Sequence, residues 1–203
     1  MPGYIPYCPY TRHPSATGRW SAPDLAHARR LIAESGTAGQ PVAVTLTPGQ
    51  AGEKPVAVYV VGLLRELGYR ARLRATDTNN AIDNANHAPQ LNIDVWGADV
   101  PSPSDWLTLQ LSCAEWRPPA AVTNHAEFCD PALDRTTAEA AQLQATDPVA
   151  ADRFWAKADR EATNQAPWLT MVSFLGIDTV APRVGDYQSV PTFGALLDQL
   201  WVH

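Results

Sequence analysis

Apolar positions in this chain change their period several times, and each change predicts an element. Leu25, Ala28, Leu31 and Ile32 fall on one face of a 3.6-residue repeat, and Gly36 ends the run. Ahead of them, Ser21-Ala22-Pro23-Asp24 has the spacing of a capping box, with Ser21 as the N-cap. Val42 to Thr47 is rich in β-branched residues and predicts a strand. Pro55 suits a first helical turn, and Val56, Val60, Leu63, Leu64 and Leu67 then repeat at helical spacing up to Gly68. Tyr69 to Arg74 alternates as a strand does. Strand, helix and strand in that order form the unit of a parallel or mixed sheet.

The polar stretch from Asp77 to His87 has room for a short helix at most, and Leu91 to Trp96 predicts a further strand. That strand runs into Gly97-Ala98-Asp99-Val100-Pro101-Ser102-Pro103-Ser104, a loop that Ser104 ends by capping a helix over 105–111. Residues 112–129 carry no periodicity. Asp130-Pro131 and Asp147-Pro148 each set an N-cap before a proline at the first helical position, which predicts helices running to about Gln144 and Asn164. The second helix has Ala151, Phe154, Trp155, Ala158 and Ala162 on its buried stripe. Trp168 to Phe174 predicts an apolar strand with Ile177 to Ala181 as its partner, and Phe193 to Val202 is a closing apolar segment. Residues 1–20 read as an irregular lead-in.

Composition narrows the classes of function. At 203 residues the chain can hold one substantial core or two small ones, and 45% hydrophobic with 18% charged residues is ordinary for a globular protein. A net charge of -6 opposes nucleic-acid binding, which needs a basic surface. No apolar run approaches the roughly 18 residues of a membrane helix, and the first residues do not have the form of a signal peptide.

Catalytic templates do not fit. The five histidines are isolated from one another, and neither a Gly-x-Ser-x-Gly elbow nor a His-x-x-x-His pair occurs. Gly49 to Lys54 imitates a phosphate loop, but its spacing is short and Pro55 replaces the hydroxyl residue that would hold magnesium. Asp77, Asn79 and Asp83 lack the glycine and terminal glutamate of a calcium loop. No catalytic residue, metal site or cofactor is therefore expected. Cys113 and Cys129 are close enough to close a short loop and equally suit two buried thiols, with Cys8 left over in either case. Trp96 and Asp99 offer an aromatic plane and a carboxylate at the end of a strand, where open α/β sheets place ligand groups. The same two residues also suit a packed indole and a capped turn.

Five segments, in order, resemble the family 5 solute-binding proteins, the dipeptide, oligopeptide and nickel-binding group. Ser21 to Gly36 is similar to that family's Asp-x-x-x-Ala-x-x-Leu helix, and Leu63-Leu64-Arg65-Glu66-Leu67-Gly68-Tyr69 to its Leu-Gly helix ending. Trp96-Gly97-Ala98-Asp99 resembles its Trp-x-Ala-Asp segment. Asn124 and Phe128-Cys129-Asp130-Pro131-Ala132-Leu133-Asp134 resemble its Asn-x-x-x-(Phe/Tyr)-x-(Asn/Asp)-Pro segment, and Asp147 to Trp168 its closing helix. After Asp99 the chain departs from the pattern, with Val100-Pro101-Ser102-Pro103-Ser104 in place of an aromatic and a second acidic residue, and position 93 is Ile where some oligopeptide binders carry arginine.

The resemblance implies an α/β, periplasmic-binding-protein-like (type II) lobe, with a mixed sheet flanked by helices. Residues 21–167 would form the C-terminal lobe and 168–203 strands returning toward an N-terminal lobe. It implies a non-enzymatic, extracytoplasmic binder of peptides or similar small solutes that delivers to an ABC permease, with Asp99 and Trp96 as ligand contacts and Cys113–Cys129 as the disulfide of an exported protein. A ligand-sensing or interaction module of a bacterial regulatory protein is the second reading, and a hydrolase with an unmarked carboxylate pair the third.

Overall fold

In a computed structural model the described residues are 7–46, 52–75, 90–116, 123–172, 176–190 and 192–203. Helix α1 spans Leu25–Ser35, strand β1 Pro41–Leu46, helix α2 Glu53–Glu66 and strand β2 Arg70–Ala75. Strand β3, Leu91–Asn92, lies on the other side of β1, giving the parallel order β2-β1-β3. Val42 and Val44 lie opposite Ala71 and Leu73 across the ladder, and α2 packs Ala57, Val60 and Val61 against Val44, Leu46 and Ala71, while Leu73 stays exposed. Gly68, at φ 101°, makes the turn from α2 into β2 in a backbone region that favours glycine.

Helix α1 begins later than the capping-box spacing predicts. Asp24 is its N-cap and accepts the His27 amide at 2.9 Å. Ser21 is drawn away by buried Thr11, whose hydroxyl accepts the Ser21 amide at 2.8 Å. The predicted apolar stripe is shallow: no residue of α1 is buried and Leu31 is half-exposed. The Arg29–Glu66 pair, 2.9 Å apart, ties α1 to α2.

A second core belongs to the helices that follow. Helix α3 is a short turn, Ser104–Leu107; α4 spans Pro131–Leu143 and α5 Pro148–Gln165. Asp130 and Asp147 cap α4 and α5 with prolines in the first turn, the arrangement their dipeptides predict. Leu107, Leu111, Leu133, Ala140, Ala151, Trp155, Ala158 and Ala162 form this core. Trp155 is fully buried and keeps its polar edge satisfied by donating Nε1–H to Gln144 Oε1 at 2.8 Å. Phe154 is only half-buried, against the edge of the cluster.

Beyond α5 the chain is extended. The described residues of 168–172 and 177–181 are not strands, because no neighbouring strand pairs with them. The antiparallel pairings lie later: β4, Val184–Gly185, with β7, Trp201–Val202, and β5, Ser189–Val190, with β6, Gly194–Ala195. Leu169, Ile177, Phe193, Leu197 and Val202 are each about two-thirds exposed or more. The predicted stretch at 77–87 and the phosphate-loop mimic at 49–51 lie outside the described residues.

Candidate functional site

The sequence predicts a strand from Leu91 to Trp96, yet only Leu91 and Asn92 sit in the ladder, against Val44 and Thr45. Ile93 adds one bond, from its amide to Thr45 O at 2.8 Å. Strand β1 is described to Leu46, and among the described residues Asp94 to Trp96 have no ladder partner. Val95 donates its amide to Asp94 Oδ1 at 2.8 Å instead of to a neighbouring strand.

Trp96 and Asp99 meet at a carboxylate that sequence reasoning placed merely in a helical first turn. Asp105 Oδ2 accepts the Trp96 indole N–H at 3.2 Å and the Asp99 amide at 3.0 Å. Asp105 itself is buried at 7% exposure. The Asp99 side chain is exposed and, among the described residues, has no ion-pair partner, while the Trp96 indole is half-buried. Ser104, the predicted cap of α3, is its first residue; Pro103 precedes it, and Ser102 Oγ accepts the Ser104 amide at 3.3 Å.

A second carboxylate beside the loop is already engaged. Asp94 Oδ2 lies 2.8 Å from His125 Nδ1, with both side chains about four-fifths buried. His125 belongs to the irregular stretch 112–129, which two devices hold. Cys113 and Cys129 are joined in a disulfide across 16 residues, and Cys8 is free. Asn124 is fully buried and donates Nδ2–H to Ser112 O at 3.0 Å and to Phe128 O at 2.6 Å, while its Oδ1 accepts the Phe128 amide at 3.1 Å. The disulfide loop is thus closed internally and tied through His125 to the residue two places before Trp96.

Asp105, Asp94 and His125 were not singled out by the sequence. The usable signal was chemical: a half-buried indole N–H needs an acceptor, and Asp105 is the nearest following carboxylate beyond Asp99. Next to the disulfide, the Gln165 amide and then the Ala132 N–H hold the Asp130 carboxyl below the usual carboxylate range. Among the described residues no three His, Cys, Asp or Glu side chains are grouped to hold a metal ion, and no helix is long and apolar enough to cross a membrane.

A small parallel sheet flanked by a helix, with a loop leaving the C-terminal end of β3, makes this part of the chain an α/β lobe. No protein-family model and no curated protein matches the sequence. Solved structures do match the fold, which is the one found in the oligopeptide-, dipeptide- and nickel-binding proteins of family 5. Clavulanic acid biosynthesis oligopeptide binding protein 2 superposes with a TM-score of 0.80 at 21% identity, over 96% of this chain and 37% of its own. OppA of Haemophilus influenzae, in complex with the peptide RPPGFSPFR, gives 0.69 at 17% identity over 94% of this chain and 37% of that one. NikA of Staphylococcus aureus, with Ni(L-His)2, gives 0.63 at 11% identity over 91% and 38%. The chain therefore spans little more than a third of the length of these structures.

Proposed function

We propose that this chain is the C-terminal lobe of an extracytoplasmic solute-binding protein serving an ABC importer, and that it takes small solutes bearing a positive charge, peptides among them. In this reading residues 168–203 reach toward a second lobe, and the two lobes close on the solute. The observation that carries the proposal is the exposed Asp99 carboxylate, without an ion-pair partner among the described residues, beside the Trp96 indole, where the chain leaves a parallel sheet at the C-terminal end of β3. Asp94 is occupied by His125, so Asp99 is the group left to meet an ammonium. The indole supplies an apolar or cation-binding wall next to it. The disulfide supports an exported protein over a module of a cytosolic regulator, because cytosolic thiols stay reduced.

The test is calorimetric titration of the full-length protein and its Asp99→Ala variant with a panel of amidated, N-acetylated and free peptides. Loss of a hydrogen bond to a charged group costs about 1.5–3 kcal/mol, so ligands with a free amino group should weaken by roughly 10- to 150-fold and acetylated ones should not. Equal affinities for both proteins across the panel would remove Asp99 from the site.

A further inference from the structure

The Asp105 carboxylate is buried, and among the described residues no cation lies within ion-pair distance of it. A charge in that setting persists only where hydrogen bonds offset its desolvation. The partners that Asp105 has are both in the recognition loop: the indole N–H of Trp96 and the main-chain N–H of Asp99. Those donors come from residues nine and six places earlier, from the start and the end of the loop, and they converge on one oxygen. Hydrogen bonds to an ionised acceptor are roughly twice as strong as neutral ones. Fixing the indole by its nitrogen sets the plane of the ring, and fixing the Asp99 amide sets the backbone from which the Asp99 side chain projects.

Gly97 does not perform this task. Its backbone lies outside the positive-φ region, and a Cβ there would meet nothing within 4 Å. The loop is shaped by its two ends being held together, and the hold is Asp105.

We infer that Asp105 is the positioning residue of the 96–99 loop: it sets the Trp96 plane and the Asp99 backbone before any ligand arrives. Its importance for binding rests on the proposed function, but its positioning role does not. A competing role for Asp105 is that of an acidic residue in the first turn of α3, which would alter helix stability and leave the loop's own signals unmoved.

The experiment is amide and indole NMR on the 203-residue chain, with the Trp96 indole signal assigned by Trp96→Phe. In Asp105→Ala the Trp96 indole and Asp99 amide resonances should both shift, and their hydrogen exchange should accelerate at least about tenfold, the other indoles staying in place. Asp105→Asn keeps an acceptor of the same shape and should restore most of both signals. Asp105→Ala with both signals and their exchange unchanged overturns the inference, even if the melting temperature falls. Displaced signals together with wild-type affinity of the full-length Asp99→Ala variant would sustain the positioning and count against the solute-binding reading.

Discussion

Replacing Asn124 with alanine tests how residues 112–129, irregular in sequence, are held in one conformation. The side chain is fully buried and makes three hydrogen bonds, to the carbonyls of Ser112 and Phe128 and from the Phe128 amide. Alanine removes all three bonds, leaving the Phe128 amide and carbonyl without a partner and the Ser112 carbonyl with the Glu115 amide alone, among the described residues. At about 1 kcal/mol each, the low end for groups that are partly sheltered, the loss is about 3 kcal/mol. With a urea slope of roughly 2 kcal/mol per molar, the unfolding midpoint should fall by about 1.5 M. Tryptophan fluorescence during urea titration reads it directly, since Trp106, Trp155 and Trp168 belong to the adjoining core. Asn124→Asp is the sharper companion. It retains an acceptor for the Phe128 amide but turns an ionised oxygen toward two carbonyls, and should be no more stable than the alanine variant. A midpoint shift under about 0.5 M for alanine, or near wild-type stability for aspartate, would refute the argument.

Two further outcomes concern the same region. Cys113→Ser with Cys129→Ser opens a loop of 16 residues and should cost about 3 kcal/mol in urea titration, and adding Asn124→Ala should cost less than the sum, because both devices brace one segment; strict additivity would show that they act separately. Asp130 has its folded pKa depressed, first by the Gln165 amide and then by the Ala132 N–H, so its contribution is complete above its unfolded value near 3.8 and is lost as pH falls through the lower folded value. The stability gap between wild type and Asp130→Asn should therefore be open at pH 6 and narrow progressively as pH falls below 3.8, and a gap that does not change with pH would dismiss the linkage.

Local chemistry made part of this molecule legible and distance hid the rest. The helical repeat of α2, the alternation of β2 and the two Asp-Pro caps each depend on residues within a turn or two of one another, and each appears in the structure near its predicted bounds. The pairing of β3 depends on Val44 and Thr45, which lie nearly fifty residues earlier in the chain. Ser21 lost its capping role to Thr11, which no periodicity connects with it. The Trp96–Asp99 loop was visible as a motif, and its support by Asp105 and its neighbouring Asp94–His125 pair were not, because hydrogen bonds between side chains on different elements leave no repeat in the sequence. Likewise the apolar stretch after Trp168 looked like paired strands, since hydrophobicity alone does not say which partner is at hand.

Among the described residues the two cores share no side chain: β1, α2, β2 and β3 pack among themselves, as do α3, α4 and α5. Ile93 is the last residue of the first and Leu107 an early residue of the second, and the loop carrying Trp96 and Asp99 is the stretch of chain between them. Under the proposed function, recognition would fall on the same stretch of chain that joins the two cores. A solute gripped there would link the unfolding of one cooperative unit to that of the other, so that occupancy would register as a merging of two transitions into one.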